Sequence, residues 1–125
     1  MVTPYPVAAD IGCDHAFTSI ELIQTGKAEH IIAADINKKP LNRAKKNIAI
    51  ARLEHKIELR ISDGLKMIKP AEADNIIISG MGGPLIIKIL KEQMDVAVSA
   101  KELILQPQSD IPQFRLELHQ LGFKI

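Results

Sequence analysis

The sequence predicts an α/β fold in which helices cover both faces of a parallel sheet. Short apolar segments alternate along the 125 residues with segments of helical periodicity, which is the order expected of β-strands joined by crossover helices. Several apolar segments end in an acid or are followed by glycine. Because right-handed crossovers leave few other arrangements for this order, one sheet with its strand ends at a common edge is favoured.

The first half of the chain predicts three strands and two helices. The first two strands are continuous apolar runs, as in a sheet buried on both faces, and the third alternates apolar with polar residues. Gly26 supplies a stop for the first helix and Asn37 an N-cap for the second. The predicted strands are Val7–Ile11, His30–Ile36 and Ile57–Ile61, and the helices lie around Ala16–Ile23 and over Lys38–Leu53.

The second half predicts two further strands, each followed by a helix. A strand over Ala73–Ser79 leads into the glycine-rich loop Gly80–Gly83, and Pro84 suits the first position of the helix that follows. The predicted elements after this loop are a helix over Pro84–Met94, a strand over Glu102–Gln106, a helix over Pro112–Leu121 and the beginning of a strand over Phe123–Ile125.

The composition predicts one globular domain over residues 1–125. Hydrophobic residues make up 46% and charged residues 25% of the chain, close to the usual globular mix. No apolar stretch approaches the length of a membrane span and the first residues do not resemble a signal peptide, which indicates a cytoplasmic protein. Cys13 is the only cysteine, so neither a disulfide nor a metal site is expected. The formal net charge of +1 is low for a protein that holds nucleic acid by itself.

Four segments are expected to meet at the carboxyl ends of the strands, where open α/β sheets bind ligands. The first segment has one glycine and two acids where a dinucleotide-binding loop has three glycines, which disfavours phosphate-bearing ligands such as NAD and ATP. S-adenosylmethionine carries a sulfonium and an ammonium group but no phosphate, so an acid-lined loop suits it. The four segments are Asp10–His15, Asp35–Asn37, Ser62–Gly64 and Gly80–Gly83.

The acids in these segments have both functional and structural interpretations. Asp35 follows Gly12 by about 23 residues and is positioned to accept hydrogen bonds from both ribose hydroxyls, or it simply faces water. Asp63 is positioned to accept from the amine of an adenine, although Ser62–Gly64 is also common turn chemistry. Asp14 is alternatively the N-cap of the first helix.

Other polar and sulfur-containing residues near these segments also have two interpretations. Met81 either packs against an adenine or fills core space, and His15 is interpreted as an orienting or structural group. Cys13 lies near a helix N-terminus, which lowers a thiol pKa, but packing is the favoured role. A basic cluster on the second helix either contacts RNA phosphates or is solvated, and the solvated interpretation is favoured. It comprises Lys38, Lys39, Arg43, Lys45 and Lys46.

Three motifs in this order and spacing resemble a known family. They are Ala9–Ala16 (ADIGCDHA), Ile78–Gly83 (ISGMGG) and Leu103–Gln108 (LILQPQ). Together they resemble the bacterial tRNA adenine-N1 methyltransferases that act on adenine 22, over essentially the whole chain. The resemblance implies a Rossmann-like class I methyltransferase fold, S-adenosylmethionine as methyl donor with S-adenosylhomocysteine as product, and tRNA as substrate.

The motifs and the resemblance also assign residues to cofactor and substrate. A glutamate often stands in the family where this chain has Asp35, and the shorter side chain still offers a carboxylate. The residues assigned to the cofactor are Asp10, Gly12, Asp14, His15, Asp35, Ile36, Asn37, Ser62, Asp63, Gly64, Gly80, Met81 and Gly82. Those assigned to the target base are Gly83, Gln106, Pro107 and Gln108.

The resemblance further implies segments that this sequence does not contain. Family members begin with a helical segment before the first strand and finish with two more strands and a coiled-coil-like region that helps to hold tRNA. The chain is therefore expected to be a partial domain that lacks the last two strands. An exposed sheet edge would then favour self-association into a homo-oligomer.

The expected reaction requires no catalytic base, because adenine N1 carries a free lone pair at neutral pH. Asp14, Asp63 and Met81 are the candidates for direct contact with the reacting groups, and the two carboxylates would stabilise the charge that moves from sulfur to adenine. Three alternatives stay open. They are a methyltransferase of this fold with a small-molecule or protein substrate, a non-catalytic module that binds the cofactor or its product, and a disfavoured nicotinamide dehydrogenase.

Overall fold

The computed structural model describes residues 6–124, which form five strands and five helices. In chain order these are β1 (Val7–Ile11), α1 (Phe17–Gln24), β2 (His30–Asp35), α2 (Lys38–Ile50), β3 (Ile57–Ile61), β4 (Asn75–Met81), α3 (Gly83–Glu92), α4 (Met94–Ser99), β5 (Glu102–Pro107) and α5 (Ile111–Gln120). The sheet order is β3-β2-β1-β4-β5, and every neighbouring pair is parallel. Because the order reverses between β1 and β4, a ligand crevice is expected at their carboxyl ends.

The sheet is buried on both faces, which explains why its central strands are continuously apolar. In β1, Ala9 and Ile11 belong to a core formed with α3, α4 and α5, whereas Ala8 belongs to a second core formed with α1 and α2. Small side chains in β1 and β2 allow the helices to approach the sheet closely. The predicted α/β fold with a parallel sheet is therefore confirmed.

Several predicted boundaries differ from those observed. The strand predicted over 73–79 is observed as Asn75–Met81. It extends past Ser79 because β4 continues across an irregularity and pairs Met81 with Pro107. The helix predicted over 84–94 ends at Glu92, and α4, which was not predicted as a separate helix, follows after Gln93 leaves the helical conformation. Asn37 occupies the N-cap position of α2, as predicted. All of α2 is described by the structure, and the Asn37 side chain makes no capping hydrogen bond to it.

The end of the chain departs from its prediction as well. Phe123 and Lys124 do not form a strand, and Phe123 instead packs against the core shared with α3 and α5. Ile125, the last residue of the predicted strand, lies outside the described residues. Among residues 6–124, β5 has no partner strand on its outer side, so an exposed edge is present, and self-association through it stays a prediction.

An ion pair fixes the segment between β3 and β4. The guanidinium of Arg60 donates to both carboxylate oxygens of Glu72 and, at 2.9 Å, to the carbonyl of Met67. These hydrogen bonds lower the pKa of Glu72 from 4.5 to about 2 and raise the pKa of Arg60. This bidentate pair of hydrogen bonds therefore ties β3 to a loop that has little other regular structure.

Replacing Glu72 with glutamine is expected to lower the free energy of unfolding at pH 7 by about 1–2 kcal/mol, as for a partly exposed charged hydrogen bond. The pKa of Glu72 is lower in the folded than in the unfolded state. The ionised carboxylate therefore contributes fully to the free energy of unfolding above pH 4.5, and this stabilisation is lost as the pH falls towards 2. Urea unfolding at a series of pH values should show the difference from the wild type shrinking between about pH 5 and pH 3. Glu54→Gln, a change at an exposed acid, is the control, and a difference independent of pH would contradict this assignment.

Two features are absent from the part of the chain that the structure describes. None of its helices is long and apolar enough to cross a membrane. No group of three or more histidine, cysteine, aspartate or glutamate side chains within residues 6–124 is arranged to hold a metal ion.

Candidate functional site

A cavity of about 490 Å³ lies at the carboxyl ends of the strands, over the point where β1 adjoins β4. All four predicted segments contribute to its wall, so the expected convergence is found. The lining residues are Ile11, Gly12, Asp14, Asp35, Ile36, Asn37, Pro40, Ser62, Asp63, Gly64, Ser79, Gly80, Met81, Leu85, Ile89 and Gln108.

Asp35 is the most firmly positioned acid in this wall. Its Oδ2 accepts a hydrogen bond from the backbone N–H of Asp14 at 3.1 Å, and its Oδ1 accepts one from the backbone N–H of Asn37 at 3.0 Å. Each carboxylate oxygen has two acceptor positions, so both retain capacity for a ligand. The carboxylate is thus held from two sides at the end of β2, which differs from an acid that simply faces water.

The loop after β1 has an unusual backbone. Gly12, Asp14 and Ala16 have φ values of 77°, 51° and 67°, in the left-handed region that is costly for the two residues with side chains. At Gly12 a Cβ would lie 2.8 Å from Cε of Met81 and 3.2 Å from the carbonyl oxygen of Ser79. The left-handed backbone and the 3.2 Å approach to a carbonyl oxygen therefore favour glycine there, while the end of the Met81 side chain could move aside.

The N-cap interpretation of Asp14 is wrong. Ala16 occupies the N-cap position of α1, and its methyl group cannot accept a hydrogen bond. Asp14 instead lines the cavity, with 68% of its side chain exposed, while its backbone N–H holds Asp35.

Neither Asp10 nor Cys13 belongs to the cavity wall that residues 6–124 form. Asp10 is 1% exposed and accepts a 2.7 Å hydrogen bond from Ser19 of α1. Burial raises the pKa of Asp10, and the nearby charge of Asp35 adds to the effect. Asp10 therefore supports the loop after β1 through α1, and its assignment to the cofactor stays a prediction.

Cys13 is a packing residue, as expected. Burial first, and then the charges of Asp10, Asp35 and Asp14, raise the pKa of the Cys13 thiol to about 12. The alternative interpretation, a thiol whose pKa is lowered by the helix N-terminus, is therefore not favoured, because burial and the nearby acids raise the pKa instead.

His15 also stays outside the cavity wall formed by the described residues. Its Nε2 lies 3.7 Å from Oδ1 of Asp14, and its ring packs edge-on against Phe17 with centroids 5.9 Å apart. Its carbonyl accepts a 2.9 Å hydrogen bond from Asn47, which ties the loop to α2. These contacts fit the predicted orienting role, whereas direct contact with a cofactor stays a prediction.

The turn after β3 contributes a polar edge to the cavity. The buried Ser62 hydroxyl donates to the carbonyl of Gly64 at 2.7 Å and accepts from the N–H of Met67, which fixes the turn. Asp63 lines the cavity, but its Oδ2 accepts a 2.8 Å hydrogen bond from Lys66, which lowers the pKa of Asp63. Part of its negative charge is therefore already balanced, which weakens its expected role in stabilising a cation.

The glycine-rich loop divides between the cavity and the core. Gly80 and Met81 line the cavity, whereas Gly82 and Gly83 do not contribute to its described wall. Gly83 is the first residue of α3, and a Cβ there would lie 2.7 Å from the carbonyl oxygen of Ser109. Close packing against Ser109 therefore explains the lack of a side chain at Gly83, and its assignment to the target base stays a prediction.

Only one residue of the predicted Gln106–Gln108 loop lines the cavity in the described part of the chain. Gln108 does so, and its N–H donates to the carbonyl of Met81 at 2.8 Å. Gln106 is exposed on β5, and Pro107 borders a different cavity, about 750 Å³ in volume, formed by β5, α4 and α5. The expected base contacts of Gln106 and Pro107 are thus not brought to this site.

The comparison with known families agrees with this geometry. The whole chain, residues 1–125, matches the family described as "Methyltransferase domain". The chain belongs to this family. The Rossmann-like methyltransferase fold expected from the motifs is thereby confirmed.

Known relatives of this methyltransferase domain agree with the resemblance drawn from the three motifs. The tRNA (adenine(22)-N(1))-methyltransferase of Bacillus subtilis (strain 168) is 43% identical over 101 residues, which cover 81% of this chain and 42% of that protein. This identity confirms the resemblance.

Two solved structures share the fold. One is M. capricolum TrmK in complex with S-adenosyl-homocysteine, at 32% identity and a TM-score of 0.84, covering 100% of this chain and 55% of that one. The other is a Streptococcus pneumoniae protein in complex with S-adenosyl-L-methionine, at 35% identity and a TM-score of 0.91, covering 96% and 56%. The chain thus spans about half the length of each relative.

The methyltransferase domain also has an apolar wall that was not predicted from sequence. Leu85 and Ile89 of α3 stand one turn apart and face the cavity, and Pro40 of α2 lies in its wall. Leu85 is 47% exposed although it is large and apolar. The sequence could have indicated this wall, because Leu85 stands one helical turn before Ile89 and comes just after a glycine-rich loop predicted to lie at the site. Two further residues also line the cavity: Ile11 lies inside the predicted segment Asp10–His15, and Ser79 directly precedes Gly80.

Proposed function

We propose that this chain binds S-adenosylmethionine in the cavity and provides the cofactor-binding part of a methyltransferase that acts on N1 of adenine 22 in tRNA. The observation that carries the proposal is Asp35, whose two carboxylate oxygens are both held by backbone N–H groups at the cavity wall. The substrate and the position follow the names of the relatives. A tRNA substrate also favours a cytoplasmic location.

The cavity suits this cofactor in size and in charge. Its volume of about 490 Å³ lies within the roughly 300–1,000 Å³ typical of small-molecule sites. Asp14 and Asp35 supply negative charge that no lysine or arginine of residues 6–124 pairs with, which favours a cationic ligand over one that carries phosphates. The site therefore matches a nucleoside that bears a sulfonium and an ammonium group.

Each part of the wall has a role in holding the cofactor. Asp35 would accept hydrogen bonds from the ribose hydroxyls through the acceptor positions that its backbone partners leave open. Leu85, Ile89 and Met81 provide apolar surface for a flat base, and the turn at Ser62–Gly64 provides polar groups at its edge. Asp14 supplies charge at the cavity mouth for the ammonium group.

The residues of this chain orient the reactants, and none is needed to move a proton. Bound S-adenosylmethionine supplies an electrophilic methyl carbon. N1 of the adenine uses its lone pair to form a bond to that carbon, in line with the departing sulfur, and the positive charge passes to the base. Correct orientation contributes several kcal/mol, and Asp14 stabilises the charge electrostatically. Gln108, at the cavity wall beside Met81, is suited to contact the incoming base.

Methyl transfer to tRNA tests the proposal. The chain is incubated with tritiated S-adenosylmethionine and unmodified tRNA, and the same tRNA with guanine at position 22 serves as the matched control. We expect label in the first tRNA only, recovered as 1-methyladenosine after digestion. Equal labelling of both would refute the position, and no labelling despite cofactor binding would refute transfer by this chain.

A further inference from the structure

One surface of the molecule is strongly basic. Residues 36–53 contain six basic residues and no acid, whereas the whole chain has a net charge of +1, so the rest of the chain is net −5. All six side chains are exposed. This α2 basic surface consists of Lys38, Lys39, Arg43, Lys45, Lys46 and Arg52.

Within residues 6–124, the six cations of the α2 basic surface have no carboxylate counterion. None makes an ion pair with a carboxylate of residues 6–124, and residues 36–53 contain no acid that could offer one. Elsewhere in the described part of the chain, Arg60, Lys66, Lys88 and Lys101 are paired, whereas isolated lysines such as Lys27 and Lys91 are not. Fold stability therefore does not account for this concentration of charge through pairing within the domain.

The arrangement of these charges even opposes helix formation. Lys39, Arg43 and Lys46 follow one another at spacings of four and three residues, so like charges are neighbours on the solvent side of α2. The opposite side, which includes Leu41 and Ile48, is buried against the sheet. The first turn contains Lys38 and Lys39 but no acid, although the positive end of the helix dipole lies there. A bound polyanion would relieve both repulsions.

The α2 basic surface begins at the mouth of the cavity. Ile36, Asn37 and Pro40 line the cavity, and Lys38 and Lys39 lie between them in the chain. The helix then leads away for 13 residues, about 20 Å. The site therefore combines an acidic cavity, which suits a cation, with an adjacent basic surface, which suits a chain of phosphates.

We propose that the α2 basic surface binds the sugar–phosphate backbone of the RNA substrate and thereby brings the target base to the cavity mouth. This inference rests on the proposed function, since it takes RNA as the substrate, and it adds the face of the domain that holds it. Phosphate contacts position a nucleic acid without reading its sequence. Gln108 and the cavity wall would then select the base.

The test is tRNA binding by a variant in which three of these cations are neutralised. Lys39→Gln, Arg43→Gln and Lys46→Gln are combined, because glutamine is a good helix former and none of the three residues lines the cavity as described. The matched control combines Lys27→Gln, Lys91→Gln and Lys101→Gln. These exposed residues lie just before β2, in the last turn of α3 and just before β5. They are thus near the amino-terminal ends of the strands, opposite the cavity.

Dissociation constants for unmodified tRNA are measured at several salt concentrations, and S-adenosylhomocysteine is titrated into each protein. For the α2 variant we expect tRNA affinity at low salt to fall about tenfold or more, and the slope of log Kd against log salt to fall by about 2–3. For the control variant we expect only a small change in the dissociation constant for tRNA, and a salt dependence close to that of the wild type. All three proteins should bind S-adenosylhomocysteine equally and keep the same circular dichroism.

The other possible results distinguish a failure of the α2 surface proposal from a failure of the proposed function. If the α2 and control variants bind tRNA equally well while the wild type is active, the surface proposal is wrong and the proposed function stands. If the wild type binds S-adenosylhomocysteine but no tRNA, RNA docking on α2 and the RNA substrate both fail, and cofactor binding stands. If the α2 variant loses S-adenosylhomocysteine affinity as well, the cluster acts through the cavity and the inference is overturned.

Discussion

Replacing Asp35 with asparagine is expected to weaken the binding of S-adenosylhomocysteine about 100-fold. In the wild type, both carboxylate oxygens accept backbone N–H groups, from Asp14 and from Asn37. An amide has only one oxygen, so its NH₂ group must face one of these donors and the local geometry changes. The variant also loses charge-assisted hydrogen bonds to the ribose, each of which is worth about 1.5–3 kcal/mol. The measurement is isothermal titration calorimetry of both proteins.

The control for this change is Asp95→Asn, which removes an exposed carboxylate from the first turn of α4. It should leave the affinity for S-adenosylhomocysteine unchanged, and both variants should unfold in urea as cooperatively as the wild type. If Asp35→Asn bound the ligand within about threefold of the wild type, the ribose-binding role of this acid would be wrong.

Replacing Gly83 with alanine is expected to lower the free energy of unfolding by about 2–3 kcal/mol, as overpacking of a rigid site does. The added Cβ would lie 2.7 Å from the carbonyl oxygen of Ser109 and 3.1 Å from Cβ of Phe114. A backbone carbonyl cannot rotate away, so α3 and the segment before α5 must separate. Gln108 adjoins that segment, so the cavity wall should change too. Urea unfolding at pH 7 measures the effect.

Gly82→Ala is the matched control for this substitution. Gly82 has an ordinary φ of −69°, and a Cβ there would lie 2.8 Å from the side-chain hydroxyl of Ser109, which can rotate. Its cost should stay below about 1 kcal/mol, in the range of substitutions that create no rigid clash. Equal losses for the two variants would show that backbone contact with Ser109 is not the reason for glycine at position 83.

Much of the sheet and the location of the site could be predicted because they depend on local patterns. The apolar run Val7–Ile11 and the alternation over Ile57–Ile61 gave the bounds of β1 and β3 as observed. Asp35 could be identified because a strand end fixes where its side chain emerges, and topology brings strand ends together. The resemblance added the kind of ligand.

The remaining features depend on three-dimensional contacts, some of them between residues far apart in the chain. Asp10 shares its motif with Gly12, but only packing against α1 shows that it is buried on Ser19. The close approach of Gly83 involves Ser109, 26 residues later, and no local pattern records it. The ion pair of Asp63 with Lys66 arises from the shape of a turn that Ser62 holds. Sequence periodicity contains no information on any of these distances.

The central claim is that the cavity between the ends of β1 and β4 binds S-adenosylmethionine, and titration with its stable product S-adenosylhomocysteine tests it most directly. Calorimetry of the wild-type chain should show saturable binding to a single site, lost or strongly weakened in Asp35→Asn, with no binding of NADH. Absence of binding at about millimolar ligand, or tighter binding of NADH than of S-adenosylhomocysteine, would contradict it.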